Sequence, residues 1–289
     1  MKKGFTLIEL VFVIVVMGIL AKFGTEFLAN SYQNYIFSSI NNKLQNQSAY
    51  AAEFITARLQ YRIKDSVISR KYDEDDFRSI EEADEDDNMI EWTQIAIDSF
   101  RGVSKPFWSG IIDLDEGNKS ALYSPETNTS AINEMIQGLS NGNCDVNDSV
   151  LYFVGASSDI NEYGWNGDEL TDQNKTLHRV VADENISIFK PKVGDFSQRD
   201  VFEYYQLSWS ANGIALVDYN DTTKMGTLKF FYNYQPWEGE SYKDGNSTIL
   251  MENVSTFSVV AIGKTLKVQV CVKSNLVQEY AICKEKTIY

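Results

Sequence analysis

One apolar stretch near the start constrains this chain more than anything else in it. Residues 5–21 hold a single ionisable side chain, Glu9, and Lys22 closes the run. Seventeen residues at about 1.5 Å each lie at the short end of what crosses a bilayer. Lys2 and Lys3 stand before it, so the positive-inside rule keeps the N-terminus cytoplasmic and exports everything after Lys22. A secretory signal peptide has a charged start and an apolar centre, but it does not usually hold a carboxylate in that centre, and no clear A-x-A-like site follows. A plain anchor has no use for Glu9 either. A carboxylate within the membrane costs a few kcal/mol and demands a partner.

The segment Gly4-Phe5-Thr6-Leu7-Ile8-Glu9 resembles the class III leader of type IV prepilins and type II secretion pseudopilins. The resemblance implies a processing site at Gly4 and Phe5: a prepilin peptidase cuts after the glycine, and the new N-terminal Phe5 is methylated. It implies that Glu9 pairs with a neighbour's N-terminal amine during assembly. The physical logic agrees. Gly4 allows close backbone approach in an extended cleavage site. Cleavage creates an ammonium at Phe5 inside the apolar layer, and Glu9 is its natural counter-charge. The implied partners are other pilin-like subunits, the peptidase, an inner-membrane assembly platform and membrane lipid. The implied location is the bacterial inner membrane, single-pass, with a periplasmic head that can reach the filament tip outside the cell.

Composition narrows the alternatives. The chain has 289 residues, with 26 basic and 41 acidic, a net charge of −15. Nucleic acid is a poor partner for such a chain, because phosphate binding needs Lys and Arg gathered on a face. The chain has one histidine, His178, which rules out a multi-histidine metal centre and leaves little room for a Ser-His-Asp triad. Neither G-x-S-x-G nor a phosphate-loop glycine pattern occurs. No catalytic residue and no metal ligand is assigned, and the sequence argues against an enzyme.

No proline occurs before Pro106, and apolar residues recur at helical spacing at Ile36, Ile40, Leu44, Ala51, Ile55, Leu59 and Ile63. The pattern predicts one helix over residues 5–67. A helix that long suits a stalk whose second half packs on a head. The expected organisation is a leader (1–4), a transmembrane assembly half (5–30), an amphipathic half (31–72), an acidic loop (73–88) and a mixed α/β head that becomes mainly antiparallel β (89–289). Residues 73–87 hold ten acidic residues and one Arg, and self-repulsion predicts a solvated loop. A short helix is predicted over 130–139, and residues 90–97 fit helix or strand. Strands are predicted at 150–154, 202–209, 214–219, 227–234, 248–251, 254–262, 266–272 and 280–288, with Asn, Asp and Gly between them as hairpin signals. The fold class is α+β, a long N-terminal helix on an antiparallel sheet, pilin-like in its lollipop shape. Residues 249–259 and 266–270, with 58–64, are similar to the large J-type and W-type minor pseudopilins.

Export implies an oxidising compartment, and three cysteines allow three single pairings. If the last two strands form a hairpin, Cys271 opposes Cys283 about residue 277, which predicts that bridge and leaves Cys144 over. Residues 113–118, 141–148 and 164–172 are rich in oxygen ligands, but none completes the EF-hand spacing. Asx turns explain them, and no cofactor is assigned, with calcium the one candidate. Aromatics cluster at 230–237 and Tyr242; half should face the core, and the others could make a carbohydrate or partner surface. His178 reads as structural. The leading function is a minor pilin or pseudopilin in the tip or priming complex of a type IV pilus, type II secretion or DNA-uptake filament. The alternative is a membrane-tethered adhesin or ligand-binding module displayed through a pilin-type leader.

Overall fold

The computed structural model describes residues 6–102, 104–173, 175–196, 201–263, 265–277 and 280–289. Its first element, α1 (Leu7–Leu59), runs for 53 residues, about 80 Å. Thr6 caps it, and no helix breaker interrupts it; a Cβ at Gly18 or Gly24 would meet nothing outside the helix itself within 4 Å, and both pass without a break. Its buried positions are Ile40, Leu44, Ser48, Ala51, Ala52, Ile55 and Leu59, the 3.6-residue stripe read from the sequence without its first member, Ile36, which is exposed, plus two small residues that let the helix sit close to its support.

The helix ends at Leu59, not at residue 67, and the amphipathic half expected to reach residue 72 stops with it. The apolar spacing continues through Ile63, but the backbone there is claimed by a strand. Ile63 N–H donates to Thr93 O at 2.9 Å, Ile95 N–H donates to Tyr61 O at 2.8 Å, and Arg62 bridges Gln94. Ile63 is buried in a different cluster from the α1 stripe.

The head follows as β1 (Ile68–Arg70), β2 (Phe77–Ser79), β3 (Met89–Ile95), α2 (Ile97–Arg101), β4 (Asp113–Asn118), β5 (Ala121–Tyr123), α3 (Thr129–Ser140), β6 (Val150–Phe153), β7 (His178–Ala182), β8 (Ile188–Pro191), β9 (Tyr205–Asn220), β10 (Met225–Tyr234), β11 (Asn246–Ile262), β12 (Thr265–Lys273) and β13 (Ala281–Ile288). Among the described residues these strands join one sheet, in the order β13-β12-β11-β10-β9-β6-β7-β8-β5-β4, with β3, β1 and β2 branching from β9. Every pairing is antiparallel. β9 is the hub. Its first part pairs with β6 and its second with β3, while β10 lies along its other side.

Two pairs of predicted strands are single strands. Residues 202–209 and 214–219 merge into β9, and 248–251 and 254–262 merge into β11. In β11 a bulge replaces the expected break: Asn253 takes φ 60° and the register against β10 shifts between Gly226 and Leu228. A short polar residue tolerates that left-handed conformation, so the chain bends there and keeps its ladder. Residues 73–88 are also not wholly loop. β2 and a 3-10 turn at Ile80–Glu82 lie within them, and Ile80 is buried in the α1 core. Residues 90–97 resolve as strand for most of their length.

Three apolar clusters fill the head. One joins the α1 stripe to Trp92, Ile214, Leu228, Val268 and Val270. A second lies on the other face of the same strands, where Met89, Ala215, Phe231 and Tyr234 meet Tyr163, Trp165 and Trp237 from loops. The third seats Ile132 and Ile136 of α3 against Leu151, Phe153, Val180 and Phe189.

Candidate assembly site

From Thr6 to residue 39 every described side chain of the N-terminal segment is exposed, including Leu7, Ile8, Phe12, Met17, Phe23, Phe27, Tyr32 and Tyr35. Residues 7–21 are apolar all round apart from Glu9 and are buried against nothing in their own chain, and such a helix needs another apolar medium. Its most apolar 18-residue window has a mean hydropathy of 2.4 and none of it is buried, so α1 is long and apolar enough to cross a membrane.

Glu9 lies on the first turn. Its Oε2 accepts from Thr6 N–H at 3.0 Å and from Thr6 Oγ1–H at 2.9 Å, while Glu9 N–H donates to Thr6 Oγ1 at 3.4 Å. This is a capping box. The carboxylate also sits at the positive end of the helix dipole, which favours its charge. In the isolated subunit Glu9 therefore closes its own helix end. The expected processing residues Gly4 and Phe5 lie outside the described residues, so the pairing of Glu9 with an ammonium at position 5 has no geometry here.

The other end of α1 is held by the C-terminal hairpin. Tyr280 donates to Asn41 Oδ1 at 2.7 Å and its ring lies 5.0 Å from that of Phe37, while Lys286 pairs with Glu53. Across the helix, Phe54 meets Phe230 edge-on at 5.2 Å. β12 and β13 set Cys271 directly opposite Cys283, and the two are joined by a disulfide. The bridge lies on the sheet face away from α1, because Val270 and Val272 on either side of Cys271 point into the α1 core. Cys144 is a free, buried thiol; Gln235 Nε2 donates to its Sγ at 3.3 Å, and burial pushes the thiol pKa up.

The acidic segment is partly neutralised from within the chain. Arg78 pairs with Asp84 at 3.3 Å and lies 3.7 Å from Asp87, and Lys243 reaches Asp73 at 3.4 Å. The oxygen-rich loops use their carboxylates on their own backbone. Asp113 Oδ1 accepts from Asp115 and Glu116 N–H, and Asp145 and Asp148 cap one short turn reciprocally. Among the described residues no three His, Cys, Asp or Glu side chains converge as metal ligands would. His178 is fully buried on β7, 4.9 Å from the ring of Phe153.

Two polar clusters, each built on a buried arginine, carried no sequence signal. Glu91 pairs with Arg70 at 2.8 Å and accepts from Tyr234 Oη–H at 2.7 Å, all three being buried. Arg179, on β7, pairs with Glu169 at 2.8 Å and with Glu238, which also takes Lys192 at 2.7 Å. Both tie distant segments together: the first joins β1, β3 and β10, and the second joins β7 to the loops of Glu169 and Glu238.

Residues 1–21 match the family model of the prokaryotic N-terminal methylation motif. The match ends with the apolar run and includes none of the head. The motif suggests a pilin-like protein, and the family it defines is structural rather than catalytic. A leader of this kind implies processing by a prepilin peptidase and assembly with pilin-like subunits. No curated protein and no solved structure matches the chain significantly. The sheet is larger than a typical pilin head.

Proposed function

We propose that this chain is a minor pilin-like subunit, held in the inner membrane by the first half of α1 and drawn from it into a type IV pilus, a type II secretion pseudopilus or a DNA-uptake filament. The observation that carries the reading is the helix segment of residues 6–39: wholly exposed, apolar as far as residue 21, and holding Glu9 near its start. Lipid covers that surface in the stored subunit, and neighbouring helices cover it in the filament. A position at the tip or in the priming complex suits the large head, since shaft subunits must pack around one axis in great number. The J-type and W-type minor pseudopilins remain the subfamily that residues 249–259 and 266–270 favour. Cys271–Cys283 holds the hairpin that grips α1, and a periplasmic head supplies the oxidising surroundings for it.

Co-purification of the full chain from membranes, with mass spectrometry of the mature N-terminus and of bound proteins, tests this. The expected N-terminus is a methylated Phe5, with other pilin-like subunits recovered alongside. A mature N-terminus far downstream of the apolar run would overturn the reading.

A further inference from the structure

The head holds a cavity of about 370 Å³ that the filament reading does not use. It opens between the C-terminal end of α1, the end of β3, and the strands β9, β10 and β11. Small-ligand pockets occupy about 300–1,000 Å³ and combine aromatic walls with a few polar groups. This one has aromatic walls from three elements: Phe54 on α1, Trp209 on β9 and Tyr232 on β10, each half-buried. Half-buried rings leave part of their π-surface open at the cavity.

The polar groups of the cavity are mixed in kind. Asn212 is buried; its Nδ2 donates to Gln94 Oε1 at 2.9 Å, and among the described residues nothing donates to its Oδ1. Trp209 Nε1–H and the Tyr232 hydroxyl have no hydrogen-bond partner among the described residues. Arg58 lies 5.5 Å and 5.8 Å from the ring centres of Phe54 and Phe230, with no carboxylate paired to it among the described residues. Asp98 likewise has no cation paired to it among the described residues.

These groups select the ligand chemistry. An anion wants donors only and meets Asp98. A cation wants acceptors only and meets Arg58. A hydrocarbon answers none of these polar groups. Hydroxyl groups donate and accept, so a ring bearing several of them satisfies both sets. A pyranose also has an apolar C–H face that fits an aromatic surface. We infer that this cavity binds a neutral saccharide, one or two rings deep, stacked on Trp209 or Tyr232 and hydrogen-bonded to Asn212, Arg58 and Asp98. The inference is independent of the filament reading, because none of these residues lies in the exposed part of α1.

The test uses the full chain in lipid nanodiscs free of glycolipid, applied to a glycan microarray carrying neutral, sialylated and sulfated glycans. Saturation-transfer NMR then measures the strongest neutral glycan in solution. The expected result is retention of one or more neutral glycans, with binding weakened at least tenfold by Trp209→Ala and by Tyr232→Ala. Thr248→Trp, a substitution at an exposed rim residue opposite Phe230, fills the mouth and should abolish binding while the thermal midpoint is unchanged. No retained neutral glycan, retention of charged glycans only, or neutral binding that survives Thr248→Trp would each overturn the inference. Glu9→Gln, which tests the filament reading, should leave glycan binding as it is in the wild type.

Discussion

Tyr234 donates its phenolic hydrogen to Glu91 across the bare backbone of Gly213. The hydroxyl is 2.7 Å from Glu91 Oε2, and a Cβ on Gly213 would stand 3.1 Å from the hydroxyl and 3.2 Å from Glu91 Cγ. Burial pushes the Glu91 carboxyl up, while Arg70 and the Tyr234 hydrogen bond pull it down. Gly213→Ala should force the two side chains apart and destabilise the head by about 1–3 kcal/mol. Tyr234→Phe should cost a similar amount by leaving a buried acceptor one hydrogen bond short. Both act through one contact, so urea unfolding of the double variant should show less than the sum of the two.

Glu9 should matter for assembly and not for the head. It stands 31 positions before Ile40, the first buried residue of α1. Glu9→Gln keeps the shape without the charge, and Glu9→Val removes the cap to Thr6 as well. Both variants should be cleaved and inserted with an unchanged thermal midpoint, and both should lose co-purification with pilin-like subunits. Wild-type assembly by both would show that Glu9 makes no contact between subunits.

The bridge between Cys271 and Cys283 should carry the edge of the sheet. Replacing both by serine removes a short loop closure, worth roughly 3 kcal/mol in the chain-entropy account. The loss should be local. Hydrogen exchange should rise first in β13 and in residues 40–59 of α1, which rest on it. Peptide mapping without reductant reads the bond directly, and free alkylation of both thiols in exported protein would refute it.

Acidity should act on Glu240. Burial pushes its carboxyl up, and Asp244, Asp148 and Glu238 push the same way, against the hydrogen bond from Gln235 N–H. A raised carboxyl stabilises the fold fully below the ordinary carboxylate range, and that contribution is lost as pH rises through the raised value. Glu240→Gln keeps an acceptor for Gln235 and carries no charge. Its thermal midpoint should exceed the wild type by on the order of 1–2 °C at pH 7, screening included, and match it near pH 4. A wild-type midpoint above the variant's at pH 7 would reverse the sign.

The parts of this molecule that could be read from sequence are those in which one short segment contains the whole pattern. The stripe on α1, the motif around Glu9 and the hairpins from β9 to β13 are of that kind. Turn residues mark the hairpins, and their order fixes Cys271 against Cys283. The end of α1 could not be read, because Ile63 keeps the helical spacing while its backbone turns to β3. β4 reads Asp-Leu-Asp-Glu-Gly-Asn and has no apolar alternation to find. β7 begins with His178, which reads as structural, and Arg179, whose charge gives no local sign of burial; the two are 0% and 1% exposed. The glycan cavity and the Glu91 cluster have the same origin. Each draws single residues from several elements, so no local window contains them.

The unbroken course of α1 through Gly18 and Gly24 fixes a clearance. Ile40, where the head begins to bury the helix, stands 18 positions after Lys22, where the apolar run stops. At about 1.5 Å per residue that is a rigid spacer of roughly 27 Å. A subunit waiting in the membrane would carry its head at that height, with Tyr280 and the disulfide hairpin clear of the lipid headgroups. Neighbouring subunits could then meet along bare helix before their heads collide.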